Sequence, residues 1–407
     1  MDIPRTSADP LETAARLKPI VDQVMQVDSL TYGTPEKGYA LRFEGRLYGD
    51  SIGAYEQVAE AFQPLNFTPL FRNEKDQHVI LAMPGVVQVR KSNPIVNLML
   101  FVLTLLSMLL TGALYDYQGP LPESLEQYLR LLPSGWPFAV SLLGILLAHE
   151  FGHYIAARRN GTAVTLPYFL PLPAPLSPFG TLGAFIQLKS PPKNRRILLD
   201  IAISGPLAGL AVALPVLVIG LLGSTVQPIP AVVPPETGIS LEGNSIFYLS
   251  IKYLIFGQLL PAPASFEGQA PLVYWMKYLL TGLPVPLGGV DVFLNQVAWA
   301  GWAGLLVTGL NLIPAGQLDG GHALYVLIGR AVNRLLPFII AALVLLGLVW
   351  QGWFIWAFLI FFLGRTHAEP LDQITELDST RRLLAVLSLL LFVLVFTPIP
   401  LRIFLSG

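Results

Sequence analysis

Residues 136–158 read WPFAVSLLGILLAHEFGHYIAAR, an apolar run that carries His149, Glu150 and His153 in its second half. About 20 apolar residues wound as a helix rise ~30 Å, enough to cross the hydrocarbon core of a bilayer. Ionisable groups inside such a run are expensive and mark function by default. His149 and His153 are four residues apart, so they share one helix face, about one turn from each other. Two imidazoles so placed can both reach one ion at ~2.0–2.1 Å. Glu150 flanks that ion without ligating it and can take a proton from a water whose pKa the metal lowers to about 7. The string is the HExxH arrangement of metal-dependent hydrolases. The competing structural reading is a polar helix end facing solvent, and Arg158 and Arg159 do mark that end.

The rest of the chain supports burial in lipid. Of 407 residues, 53% are hydrophobic and 13% charged, against about 25% charged in a soluble globular chain. Mean hydropathy is +0.60. Further apolar runs cover residues 95–115, 197–223, 297–314, 335–350, 354–363 and 383–398, while 246–260 and 272–283 are too short for spans and read as re-entrant or interfacial. The expected fold class is therefore a polytopic α-helical membrane protein, with residues 92–407 as its transmembrane domain. A net charge of -1 and the lack of a basic, aromatic-interleaved face exclude nucleic acid as an expected partner. Zero cysteines exclude disulfides, thiolate metal sites and a cysteine nucleophile.

Residues 1–91 read as a small soluble α/β domain. Tyr39, Leu41, Phe43 and Leu47 alternate with polar neighbours as in a strand, and Asp50 or Ser51 caps a helix running to Phe62. Two short strands follow at 67–71 and 78–83, joined by a polar turn at 73–77; residues 1–30 carry only a weak helical pattern. The opening MDIPRTSADP has no signal-peptide pattern. Lys and Arg cluster at Arg90 and Lys91, Arg158 and Arg159, Lys189 to Arg196, Arg330 and Arg334, and Arg365, Arg381 and Arg382. An alternating topology with a cytoplasmic N-terminus puts all of these on one side, leaving Arg130, Lys252 and Lys277 on the other.

A catalytic zinc needs a third protein ligand and an open position. Asp319, in the string 311–321 NLIPAGQLDGG, is favoured: Pro314 ends or kinks the preceding helix, and Gly316, Gly320 and Gly321 let the chain turn toward another helix. His322 is the rival ligand, and an ordinary helix-ending loop is the bland alternative. His78 and His367 lie in polar segments and read as surface residues. Five prolines between residues 165 and 179 exclude a regular helix there. Residues 180–189 read as a strand that either packs on the helices as a membrane-dipping loop or offers its edge to an unwound substrate. Ser204, Gly205, Pro206 and Gly209 read as close helix packing, and Asp200 as a polar helix-entry residue rather than a group supporting the metal ligands. Intramembrane proteolysis competes with metal transport, for which duplicated halves would be expected and none is visible, and with an inactive scaffold.

LLAHEFGHYIAARRNG and NLIPAGQLDGGHALY together resemble the site-2 protease family of intramembrane zinc metalloproteases, whose pattern pairs HExxH with N-x-x-P-x-x-x-x-D-G on a later segment. The strand RFEGRLYG and the tail HAEPLDQITELDSTRRLLA resemble its cyanobacterial and plastid branch. The resemblance covers residues 38–400. It implies that His149, His153 and Asp319 bind one Zn2+, that Glu150 is the base, and that Asn311 positions the substrate carbonyl or the developing oxyanion. It implies transmembrane protein substrates, a lipid bilayer as surroundings, and a multi-pass protein of a bacterial inner membrane or a thylakoid. No stretch reads as an inserted PDZ domain or a C-terminal nucleotide-sensing pair.

Overall fold

A computed structural model describes residues 9–34, 36–74, 77–88, 92–117, 119–120, 122–232, 238–266, 268–363 and 369–405. Arg90, Lys91, Arg365, His367 and part of the 73–77 turn lie outside the described residues. The first unit runs helix α1 (Pro10–Val21), strands β1 (Met25–Tyr32) and β2 (Leu41–Leu47), helix α2 (Ser51–Phe62), then β3 (Phe67–Glu74) and β4 (Gln77–Pro84). The strands form an antiparallel sheet in the order β1-β2-β4-β3. Asp50 caps α2 as its sequence suggests, its carboxylate accepting from the amides of Ile52 and Gly53. The alternation in β2 puts Leu41 and Phe43 into a core with Val58, Phe62, Phe71 and Ile80. Strand β1 has no counterpart in the sequence reading. It is an edge strand whose burial pattern buries little beyond Met25, so the hydrophobic alternation is weak.

Among the described residues, four helical stretches are long and apolar enough to cross a bilayer: Pro94–Tyr115, Leu125–Arg159, Arg195–Leu222 and Asp319–Gly347; the helices that hold the runs 297–314, 354–363 and 383–398 are shorter. The chain passes from α3 (Pro94–Tyr115) through the short α4 (Leu125–Leu131) to α5 (Trp136–Arg159), a hairpin of β5 (Tyr168–Pro171) and β6 (Thr181–Phe185), and α6 (Arg195–Leu222). An excursion follows, with β7 (Thr225–Pro228), β8 (Gly238–Glu242), α7 (Ile246–Phe256), α8 (Pro271–Thr281) and β9 (Val290–Phe293). The chain then returns through α9 (Gln296–Asn311), α10 (Asp319–Ile328), α11 (Val332–Gly347), α12 (Gly352–Leu363), α13 (Ser379–Val395) and β10 (Leu401–Leu405). The helix that the sequence carries to Pro314 stops at Asn311, and Gly316 turns the chain with φ +59° toward α10.

Helices α5, α6 and α9 pack together as the centre of the bundle. Gly152 lets α5 meet α6 closely, since a Cβ there would lie 2.4 Å from the Ser204 carbonyl oxygen. One end of the bundle is tied by polar groups. The Tyr115 hydroxyl donates to the Leu294 carbonyl, Gln296 accepts from the Phe138 amide and donates to Asp116, and Asn295 donates to the Gly220 carbonyl. Stacked Trp299 and Trp302 fill the space beside them.

At the other end, Arg381 on α13 grips Asp200 on α6 through two hydrogen bonds of 2.9 and 2.7 Å. The segment 369–376 there stitches the small sheet to the bundle. The Phe71 amide donates to Leu371, the Gln373 amide donates back to Phe71, and the Leu371 and Asp372 amides donate to Pro192 and Lys193 just before α6. Leu371 and Ile374 extend the core of the first unit, so its packing draws on the chain far beyond residue 91. Buried Arg72 donates to the carbonyls of Phe71, Pro370 and Leu371. Burial alone would raise the Glu369 carboxyl, but its hydrogen-bonded partner Arg330 holds it below the usual range.

Replacing Arg72 with Ala leaves those carbonyls short of a charged donor, a loss of about 2 kcal/mol. Hydrogen exchange at the amides of Phe71, Leu371 and Gln373 is expected to quicken roughly thirtyfold, with β1 and β2 unchanged. Mass-spectrometric exchange on the intact chain measures it.

Candidate metal centre

His149, Glu150 and His153 face inward from the middle of α5 and are all buried, though they lie within an apolar span. Their spacing puts both imidazoles on the face turned toward α6 and α10. The His153 Nδ1–H donates to the Ile201 carbonyl on α6 at 2.7 Å, which fixes the tautomer and leaves Nε2 as a free electron pair. That Nε2 lies 3.2 Å from the His149 Nε2. Asp319, the first residue of α10, brings one carboxylate oxygen to 3.4 Å from His149 Nε2 and 3.3 Å from His153 Nε2.

Three donor atoms at 3.2, 3.4 and 3.3 Å form a nearly equilateral triangle. Ligands held tetrahedrally at ~2.0–2.1 Å from one zinc stand about 3.3 Å apart, so the donor set fits that ion in size, chemistry and number. Among the described residues, these three are the group of His and carboxylate side chains close enough to share a metal. His322 lines the same pocket but stands outside the triangle.

The remaining wall is built from elements distant in sequence. The Asn311 side-chain nitrogen, at the end of α9, sits 3.3 Å from His149 Nε2. The pocket measures about 210 Å3 and is lined by Glu150, Asn311, Gln317 and Leu318, and by Ala184, Phe185, Ile186 and Leu188 of and beyond β6. Ile186 and Glu150 thus face one pocket. Strand β6 pairs with β5 on one side, and among the described residues no strand pairs with its other edge. Residues 180–189 are thus strand only as far as Phe185, after which Leu188 forms a single bridge to Val164. Helix α3 holds this hairpin through polar side chains. Asn97 donates to the carbonyls of Leu166 and Pro167, and Ser107 to that of Gly180 at 2.6 Å.

Gly205 is a site residue that the sequence conceals. A Cβ there would lie 2.0 Å from His153 Nε2, inside the ring's own volume. A glycine in an apolar span signals close approach, but only packing reveals that the neighbour is an imidazole.

Comparison with known proteins finds relatives of this chain. The profile of Peptidase family M50 matches residues 137–350. The probable zinc metalloprotease EGY2, chloroplastic, of Arabidopsis thaliana is 35% identical over 67% of this chain and 43% of its own length. Its counterpart from Oryza sativa subsp. indica is 29% identical over 93% of this chain and 65% of its own length. The probable zinc metalloprotease EGY1, chloroplastic, of Arabidopsis thaliana is 30% identical over 68% of the chain and 45% of its own. The chain thus spans about half to two thirds of the length of these relatives. No solved structure matches it.

Replacing Gly205 with Ala forces the pinned His153 ring out of the triangle. Retention of a divalent metal by the purified protein is expected to fall roughly 10–100-fold, while the alanine, a better helix former, leaves insertion and yield intact. Metal analysis by atomic emission alongside a yield measurement checks both.

Proposed function

This chain belongs to Peptidase family M50, and we propose that it is a zinc metalloprotease that hydrolyses peptide bonds within or near transmembrane segments of membrane-protein substrates. The observation that carries this reading is the triangle of two imidazoles and one carboxylate buried inside an apolar helix bundle, with a second carboxylate beside it. In it, His149, His153 and Asp319 hold one zinc, which supplies a Lewis acid that makes a nearby water acidic enough to lose a proton at neutral pH. Glu150 lies outside the donor triangle and carries that proton, taking it as base and returning it to the leaving amine nitrogen. Asn311 turns its amide toward the same pocket, where an N–H donor stabilises the charge that develops on the carbonyl oxygen.

A helical substrate shields its scissile bond with its own hydrogen bonds. Unwinding it in hydrocarbon is costly unless the freed groups find partners. The edge of β6 that pairs with no strand among the described residues supplies them by strand addition, with Phe185 and Ile186 lining the pocket. Glu150 lines that same pocket, which brings base and strand edge together.

The same reading makes the chain a multi-pass protein of a bacterial inner membrane or a thylakoid, with residues 1–91 as a cap on the cytoplasmic or stromal side and 92–407 in the membrane. The basic clusters support that orientation. His149 stands ten residues from the end of α5, about 15 Å along the helix, which puts the reaction below that surface. Because the chain has no cysteine, a single cysteine placed at Glu56 is expected to resist an impermeant thiol reagent added outside intact cells, and one placed at Glu126 to react. The reverse pattern overturns the orientation.

Glu150→Gln tests the chemistry. In the reconstituted full chain, cleavage of a single-span substrate with Gly, Pro or Asn in the near half of its helix is expected to fall by about 10²–10⁴, with one zinc per chain retained. A substrate helix rebuilt from Leu and Ala is expected to be cut more slowly by the unaltered enzyme. Full activity in Glu150→Gln removes the assigned base.

A further inference from the structure

The excursion between α6 and α9 carries two helices that the proposed reaction does not use. Helices α7 and α8 have 11 residues each, about 16 Å of length, half of what a ~30 Å hydrocarbon core requires. Both ends of the excursion are tied at one level, because β7, which leaves α6, pairs antiparallel with β9, which leads into α9. The excursion therefore starts and finishes at the end of the bundle opposite Arg158 and Arg159.

Helix α7 cannot turn into a span without breaking a buried ionic group. The Lys252 ammonium is fully buried, 3.5 Å from Glu242 on β8 and 3.6 Å from Asp291 on β9, and stands over the Tyr248 ring. Helix α8 turns Tyr274, Trp275 and Tyr278 inward, yet its outward residues are Leu272, Val273, Met276 and Leu280, with Lys277 the one charge among them. A helix apolar on both faces does not rest in water. Between the two helices runs a groove of about 510 Å3, lined by Leu249, Leu259, Ala262, Pro263, Phe266 and Trp275. Helix α7 packs on α13, whose Leu390, Val393 and Leu394 are exposed in turn, so the apolar surface is continuous with a bilayer-facing helix.

We propose that α7 and α8 form a plate lying flat in the bilayer leaflet remote from the metal centre, and that the groove between them takes a phospholipid acyl chain. Tyr253 and Lys277 are exposed and reach the headgroups from that plane, as aromatic and long basic side chains do at membrane interfaces. The proposal needs only the membrane placement of the helices and no catalytic step.

The native lack of cysteine allows single spin labels at L272C, M276C and L280C in the full chain, reconstituted in phosphatidylcholine vesicles. Collision with oxygen against collision with an aqueous nickel chelate reports depth. A flat helix gives three shallow depths agreeing within about 3 Å, whereas a spanning or re-entrant helix separates the first and last by about 12 Å. Trp275 emission, isolated as the difference from Trp275→Phe, is expected to fall at least twofold in vesicles whose phosphatidylcholine is brominated along the acyl chain. Ala262→Phe, which fills the groove, is expected to restore most of that emission without moving the labels. A depth gradient, or labels open to the nickel chelate, overturns the plate. Quenching that Ala262→Phe leaves unchanged, or a groove covered by a second copy of the chain in crosslinking, overturns the acyl-chain site.

Discussion

The close approach of α5 to α6 positions every other group around the donor triangle. Polar side chains inside an apolar bundle are tolerated only when they satisfy one another. Here α6 supplies the Ile201 carbonyl that accepts a hydrogen bond from the His153 Nδ1–H, and Gly205 leaves the volume that the same ring occupies. Gly152 on the facing helix removes the side chain that would hold the two backbones apart. With both imidazoles aimed this way, the carboxylate at the start of α10 and the amide at the end of α9 need only arrive from the other side. The sharp turn through Gly316 lets both come from one short stretch of chain.

The α5, α6 and α9 core is dense with aromatic and small residues. The hairpin of β5 and β6 shares that core, because Phe169 is buried in it, edge-on to Phe101, and Phe179 packs on Trp299 and Trp302. Hydrogen bonds from Asn97 and Ser107 of α3 fasten the same segment. The proposed substrate path therefore runs along an element anchored to the helices that carry the donor atoms.

The face nearest the site is closed by long-range stitching. Asp372 bridges to both Phe71 and Asn194, and Gln373 donates to the Tyr325 hydroxyl on α10. One short segment thus ties the small sheet to the start of the helix carrying Gly205 and to the helix carrying Asp319. At the far end, the ionic group around Lys252 and the paired ribbons fix α7 against the bundle. Both ends are held by polar contacts, and the middle by apolar packing.

The sequence by itself determined what depends on near neighbours in the chain. Apolar run lengths marked the long helices, four of them of spanning length among the described residues, the four-residue spacing put His149 and His153 on one face, Asp50 marked the start of α2, alternation marked β2, and two short runs about a polar turn marked β3 and β4. These signals act over a turn of helix or a few residues of strand. What only the tertiary structure decided lies between residues far apart: Asp319 rather than His322 beside the imidazoles, Gly205 under the His153 ring, Ile186 and Glu150 in one pocket, and the 369–376 segment completing a sheet begun more than 300 residues earlier. Strand β1 belongs with these, since an edge strand with one well-buried residue writes little pattern into its own sequence. The reason is physical. A side chain's type and spacing fix which face it occupies, but its partner is chosen by how whole helices pack, and that choice is made by shape and volume that no local stretch encodes.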